Sequence, residues 1–213
     1  MGAFLKHIRY GRLAVLSVAI LLVPLSESAA QADWRRTVKV IAPVEQGSVI
    51  RALTDSVVAM AEADKLPIQR APKSDTSTTL QGIEQALSKE GLALTSATHV
   101  FITYRFLLRG GELRRDIRNL HFIYRPTAEQ GEDISIFFVD LSKDDLYNEL
   151  LIKKGTPSPV NEVVYQPFAK QLSFQNMKDT ATVVQVGNEI IRETERAAAE
   201  KQRILRTIRR LTY

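Results

Sequence analysis

His99 to Arg109 reads HVFITYRFLLR, and after Gly110-Gly111 the chain continues from Glu112 to Arg125 as ELRRDIRNLHFIYR. In the first run apolar residues occupy every second position, which is the period of a strand with one buried face. Two consecutive glycines between two such runs are typical of a tight hairpin turn. The apolar phase of the second run shifts between Ile117 and Leu120, which indicates a β-bulge.

A third consecutive strand is predicted at Ile134 to Leu141, where β-branched and aromatic residues cluster. Outside the first 32 residues, eight of the thirteen aromatic side chains lie between Phe101 and Tyr147. Because large aromatic side chains supply much of a core, we expect the centre of the fold in this three-stranded meander.

One strand and two helices are predicted upstream of the meander. Thr37 to Val44 is β-branched and alternating, so we expect a strand there. A helix is predicted from Ser48, its N-cap, to about Lys65, and a second helix from about Thr78 to Glu90. Gly91 stands where a C-terminal cap belongs.

Downstream of the meander the pattern is helical. A helix is predicted from Ser142 to Lys154, Thr156 to Pro159 reads as a linker, and a long amphipathic helix is predicted from about Asp179 to Leu211. Another helix is expected to break near Pro167. The predicted fold class is therefore α+β, an antiparallel sheet in β-α-α-β-β-β order packed with helices. We expect a core domain at 33–155 and a helical C-terminal extension at 156–213.

The start of the chain has the three parts of a secretory leader. A basic segment ending at Arg12 precedes an apolar run from Leu13 to Leu25, which is shorter than the roughly 20 residues that span a bilayer. Ala30-Gln31-Ala32 has the small-residue pattern of a cleavage site. The sequence therefore predicts a signal peptide at 1–32, cleaved near Ala32, with an uncleaved anchor as the alternative.

Composition limits the classes of protein to consider. Hydrophobic residues make up 45% and charged residues 25% of the chain, which is typical of a globular protein. Cysteine is absent, so disulfides, thiol nucleophiles and lipid attachment at cysteine are excluded. A cysteine-free exported domain fits a periplasm. Removing the leader takes away three basic residues and one acid, so the formal charge falls from +5 to +3, and no nucleic acid is expected as a partner.

The sequence lacks the familiar motifs of catalysis. It contains neither a G-x-S-x-G elbow nor a glycine-rich phosphate loop. Outside the leader there are two histidines, His99 and His121, at opposite ends of the predicted hairpin. His121 with Asp116 or Asp140 is the best candidate for a base that activates a serine. A strand histidine is more often a hydrogen-bonded side chain, so no catalytic residue is expected.

No metal or cofactor is expected either. H-E-x-x-H is missing, and histidine pairs do not occur at ligand spacing. Asp140, Asp144, Asp145 and Glu149 cluster, but their spacing is not that of an EF-hand loop. Acids at a helix start are favoured by exposed N–H groups and by the helix dipole, so we interpret the cluster as capping.

Arginine is concentrated in the predicted hairpin, where six arginines accompany two acids. The planar guanidinium suits phosphate and carboxylate groups, so these residues are candidates for binding an anionic lipid or glycan. The alternative is a solvated face whose charges prevent edge-to-edge pairing. The candidate residues are Arg105, Arg109, Arg114, Arg115, Arg118 and Arg125.

The C-terminal helix has an apolar stripe with alternating steps of four and three residues, interrupted by Lys201. Such a stripe packs on a partner helix or a second copy in a coiled coil, although it is short for that purpose. Packing on the parent domain is the alternative, and the basic end could also lie on an anionic membrane. The candidate interface residues are Ile190, Ala197, Ile204, Ile208 and Leu211.

Together these patterns predict a periplasmic or secreted accessory or binding protein that is not an enzyme. It is expected to contact an envelope protein or a second copy through its C-terminal helix, and an anionic ligand through the arginine-rich hairpin. An envelope hydrolase with a site assembled from scattered residues is the alternative.

Overall fold

A six-stranded antiparallel sheet forms the centre of the fold. The computed structural model describes residues 34–72, 79–127, 132–157, 164–177 and 181–212. The predicted signal peptide lies outside these residues. The described residues form one compact unit, and the predicted α+β class with its β-α-α-β-β-β order is confirmed.

The strands of the main sheet are β1 (Trp34–Pro43), β2 (His99–Arg109), β3 (Glu112–Tyr124), β4 (Ile134–Asp140), β7 (Thr182–Val186) and β8 (Glu189–Ile190). Their order is β4-β3-β2-β1-β7-β8, while β5 (Gly155–Pro157) and β6 (Tyr165–Pro167) form a separate pair. The helices are α1 (Val49–Glu62), α2 (Leu80–Lys89), α3 (Asp144–Tyr147), α4 (Phe168–Gln171) and α5 (Thr194–Thr212). A 3-10 turn at Leu94–Ser96 and a π turn at Asn148–Ile152 complete the described elements.

The hairpin of β2 and β3 follows the sequence prediction closely. Gly110 and Gly111 have φ of 57° and 83°, which only glycine adopts readily and which a two-residue turn between twisted strands requires. Thr103 pairs with Asn119 and Tyr104 with Ile117, so Arg118 is the extra residue of a bulge. The bulge explains the shift in apolar phase.

The ends of the first two helices are capped by side chains. Ser48 accepts a hydrogen bond from the backbone N–H of Arg51 at 3.1 Å, and Thr79 accepts one from Gly82 at 3.2 Å. Each bond satisfies an N–H group that has no partner within its helix. Gly91 follows α2 with φ of 71°, so the predicted start of α1 and end of α2 are confirmed.

The two faces of the sheet differ. Val38, Val40 and Ala42 of β1 share one buried core with helix residues such as Leu53 and Leu87. We call this side the helix-covered face. Successive strand residues point to opposite sides, so the alternate residues of β1 to β4 and β7 form the other side, which we call the second face.

The C-terminal part of the chain differs from the prediction. The helix expected from Asp179 begins only at Thr194, because Thr182–Val186 pairs antiparallel with β1 as a strand. Gly187, with φ of 59°, then turns the chain into β8. The β-branched sequence TVVQV before a Gly-Asn pair favours a hairpin over a helix.

Two further segments also differ from the prediction. Thr156 and Pro157, expected in a linker, pair with Gln166 and Tyr165 between β5 and β6. The helix expected from Ser142 to Lys154 is a short α3 followed by a π turn. Residues 158 and 159 of the predicted linker lie outside the described residues.

Candidate functional site

Two of the six arginines form ion pairs with carboxylates at 2.7 Å or less. The Arg105 guanidinium lies 2.6 Å from Asp116, its cross-strand neighbour on the second face. Arg125 donates two hydrogen bonds of 2.7 Å to Asp133, and this pairing raises the pKa of Arg125. Arg109 is exposed at the end of β2. The paired guanidinium groups are therefore already occupied by acids of the same chain.

The other three arginines do not share one surface. Arg114 is exposed on the second face, 3.5 Å from Glu112. Arg115, the next residue, lies beside Phe106 on the helix-covered face, because strand side chains alternate. Arg118 occupies the bulge. The candidate arginines on the two strands are thus divided between the two faces of the sheet.

His121 lies half-buried between two aromatic rings on the second face. Its ring centroid is 6.0 Å from that of Phe101 and 6.1 Å from that of Phe138. Burial and the positive charge of Lys39 lower the pKa of His121 to about 4, against a smaller opposite effect of Asp133. The imidazole is therefore neutral near pH 7.

Ser135, which no sequence motif indicates, is bonded to this histidine. His121 Nε2 lies 2.7 Å from Ser135 Oγ, which in turn lies 2.6 Å from the carbonyl oxygen of Arg70. A carbonyl only accepts, so Ser135 donates its proton to Arg70 and accepts from His121. In that arrangement the histidine nitrogen facing the serine carries a proton, which is the reverse of a general base poised to activate a nucleophile.

Both predicted acids are bonded to groups other than His121. Asp116 is bound to Arg105, and Asp140 lies opposite Asn119 and accepts a hydrogen bond of 2.8 Å from the Ser142 N–H. Within the described residues neither carboxylate is hydrogen-bonded to the imidazole.

Asp144 and Asp145 lie in the first turn of α3, and no group of three or more metal-ligating side chains occurs in the described part of the chain.

The apolar stripe of α5 packs within the chain itself. Ala197, Ile204 and Ile208 are 3%, 2% and 0% exposed and belong to the main core. Leu211 is half-buried, whereas Ile190 is 63% exposed and lies on β8 rather than on the helix. These burial values agree with the alternative of packing on the parent domain.

No helix in the described ranges is long and apolar enough to cross a membrane.

A groove of about 450 Å³ crosses the second face. Its described walls come from the strands, from the turn at Gly187 and from the segment around Gln69, which bonds to Phe138 at the outer edge of β4. The floor contains a row of polar side chains in register across five strands. This polar row consists of Gln185, Lys39, Thr103, Asn119 and Asp140.

The polar row is long, and several of its side chains can form hydrogen bonds with a ligand. Neighbouring strands are about 4.8 Å apart, so the row extends over roughly 19 Å. The side chains of Lys39, Thr103 and Asn119 have no hydrogen-bond partner among the described residues, although Thr103 is only 8% exposed. Among the described residues the only buried side-chain nitrogen or oxygen without a partner is Arg105 Nε, so these polar groups reach the surface of the groove, where a ligand can bond to them.

An aromatic row lies beside the polar row in the same register. It runs from Phe101 through His121 to Phe138 on β2, β3 and β4. The Lys39 ammonium lies 5.7 Å from the Phe101 ring centre, within cation–π range. The groove therefore offers aromatic rings next to polar side chains, of which Lys39 and Asp140 are charged.

A larger cleft of about 830 Å³ lies between the start of α1 and the β5–β6 pair. Most of its polar groups serve the fold. Gln171 bonds to Thr156 and to the Gln166 carbonyl, and Arg51 pairs with Asp55. No described aromatic residue lines it, so the groove on the second face is the better candidate site.

Of the residues in this groove, His121 and Asp140 are candidates from the sequence, whereas Lys39, Thr103 and Asn119 are not. Each of these residues alternates with apolar residues on its own strand, which is ordinary for a half-exposed sheet. Only the register between strands shows that they form a row. No protein-family model and no curated protein matches the sequence.

Proposed function

We propose that this protein is an exported, non-enzymatic binding protein that holds a neutral glycan strand across the second face of its sheet. One observation carries the proposal. The groove places a polar row with unpartnered side chains directly beside an aromatic row.

The chemistry of the groove favours a carbohydrate. Sugar hydroxyl groups both donate and accept, and they match the amide and hydroxyl groups of Asn119 and Thr103. The C–H faces of sugar rings pack on flat rings such as Phe138. Lys39 and Asp140 stand toward opposite ends of the row with opposite charge, so the groove gives no net electrostatic preference, which suits an uncharged polymer.

The leader-like segment at 1–32 supports the proposal that the protein is exported. An exported binding protein meets the glycans of the cell envelope, and the predicted periplasmic chain would work beside them. The buried stripe of α5 gives this role a rigid support, because α5 packs against β7 beneath the groove. A binding role also needs no catalytic group, in keeping with the proton arrangement at Ser135.

Calorimetric titration with chito-, malto- and cello-oligosaccharides tests the proposal. We expect one of these series to bind the wild-type chain, with affinity that rises with oligosaccharide length until the row is filled. Asn119→Ala is expected to weaken binding by about tenfold, since losing a hydrogen bond to the ligand costs about 1.5 kcal/mol.

Gln175→Ala is the matched control, because this amide lies outside the groove and lines other cavities. It should leave oligosaccharide binding unchanged. Absence of binding to every series, or equal weakening by Asn119→Ala and Gln175→Ala, would contradict the proposal.

An envelope hydrolase is the second candidate, favoured by the 2.7 Å contact between His121 and Ser135. In a serine hydrolase the Ser135 hydroxyl would have to turn away from the Arg70 carbonyl oxygen. It would then donate its proton to an unprotonated histidine nitrogen before attacking the substrate. Covalent labelling of Ser135 by a fluorophosphonate, lost in His121→Ala, would support this candidate. Absence of labelling in the folded wild-type chain would remove it.

A further inference from the structure

A second, smaller cavity lies on the helix-covered face, at the end of the sheet where β2 and β3 approach α4. Its volume is about 180 Å³. Three aromatic side chains form much of its wall. The Phe174 ring meets the rings of Tyr104 and Phe106 edge-on, with centroid distances of 5.4 and 5.6 Å.

Polar groups without partners stand at this cavity. Arg115 lines it and has no acidic partner among the described residues, unlike Arg105 and Arg125. The hydroxyl groups of Tyr147 and Ser173 also line it, and neither bonds to another described residue. The Tyr104 hydroxyl is different, because it donates to the Leu172 carbonyl at 2.7 Å.

We propose that this cavity binds a small aromatic carboxylate, with the ring against the wall that Tyr104, Phe106 and Phe174 form and the carboxylate on Arg115. The volume of the cavity suits a single ring, because a site of about 150 Å³ accommodates benzene. A guanidinium binds a carboxylate through two parallel hydrogen bonds, which fixes the orientation of the ligand.

The remaining rim groups set the specificity of the site. Burial, and next the negative charge of Asp116, raise the pKa of Tyr147, so its hydroxyl keeps its proton and can donate to the same carboxylate. Asp116 itself is bound to Arg105. The rim therefore offers no free described acid to a ligand ammonium group, and an aromatic amine should be rejected.

Arg114 provides a matched control for Arg115. The two arginines are adjacent on β3, both are exposed, and they point to opposite faces of the sheet. We expect phenylacetate to bind the full chain in a calorimetric titration, and to bind Arg115→Gln at least about tenfold more weakly. Arg114→Gln should bind phenylacetate as the wild type does.

Phenethylamine and acetate are the comparison ligands. Phenethylamine keeps the aromatic ring but replaces the carboxylate with an ammonium group, and acetate keeps the carboxylate but has no ring. Both should bind far more weakly than phenylacetate. The proposal is overturned if phenylacetate does not bind, if the two glutamine variants bind it equally, or if phenethylamine binds as tightly. Circular dichroism of each variant checks that the substitution leaves the fold intact. The outcome is independent of oligosaccharide binding, because the groove lies on the opposite face.

Discussion

The Lys201 ammonium is buried on the inner side of α5, where it donates to the carbonyls of Met177 and Ala181 at 2.8 and 2.5 Å. Charge-assisted bonds of this kind are stronger than neutral ones, and their loss leaves buried acceptors without a donor. The Lys201 ammonium, which interrupts the apolar stripe, therefore anchors α5 to the chain at Met177 and at Ala181.

Replacing this lysine tests that role. We expect Lys201→Met to lower the free energy of unfolding by about 2 kcal/mol, because the carbonyls lose charged donors while the apolar stem is kept. Arg206→Met on the exposed side of the same helix is the control and should change stability by less than about 0.5 kcal/mol. Urea unfolding measures both, and equal effects would refute the anchoring role.

His121 makes stability depend on pH in a stated direction. Its pKa is lowered from 6.5 to about 4 in the folded chain, so the unfolded chain takes up a proton first as the pH falls. The contribution of the neutral imidazole is complete above about pH 6.5 and is lost between about pH 6.5 and pH 4. The lost stability is roughly 2 kcal/mol, allowing for partial exposure.

Urea unfolding of wild type and His121→Gln across this range measures the effect. The variant should lose less stability than the wild type on acidification. Burial and then Arg125 also lower the pKa of His99, against a smaller effect of Asp133, so His99→Gln serves as the comparison and should retain most of the wild-type dependence. An unchanged pH dependence in His121→Gln would contradict the assignment.

At the level of elements, strong alternation and turn residues made the meander predictable. The Gly110-Gly111 turn and the bulge at Arg118 follow directly from sequence. β7 was missed because its polar surroundings and the nearby stripe of α5 favoured one long helix, although TVVQV is rich in β-branched residues. Propensity over five residues is a weak guide, and pairing with β1 decides the outcome.

Two isoleucines of the predicted interface distinguish core packing from partner binding. Ile208 is 0% exposed and Ile190 is 63% exposed. We expect Ile208→Ala to lower the free energy of unfolding by about 3 kcal/mol, since it leaves a cavity in the core, and Ile190→Ala to have little effect. Thermal or urea unfolding measures the difference. Equal small effects would indicate that the stripe is not part of the core.

For the whole molecule, the site depends on how strands are aligned rather than on any motif. Lys39, Thr103 and Asn119 are far apart in sequence, and each is an ordinary residue of a half-exposed strand. Pairing of β1 with β2 and of β2 with β3 brings them into one row. A shift by one residue in either pair would move the row to the other face, so sequence alone could not predict it.

Amide chemical-shift mapping of the labelled protein with a bound oligosaccharide is the most direct test of the groove. We expect shifts concentrated at Lys39, Thr103 and Asn119 and at their cross-strand neighbours, with little change along α1. Shifts concentrated around Ser48 and Gln166, at the larger cleft, would contradict binding in the groove, as would the absence of any shift in the second face.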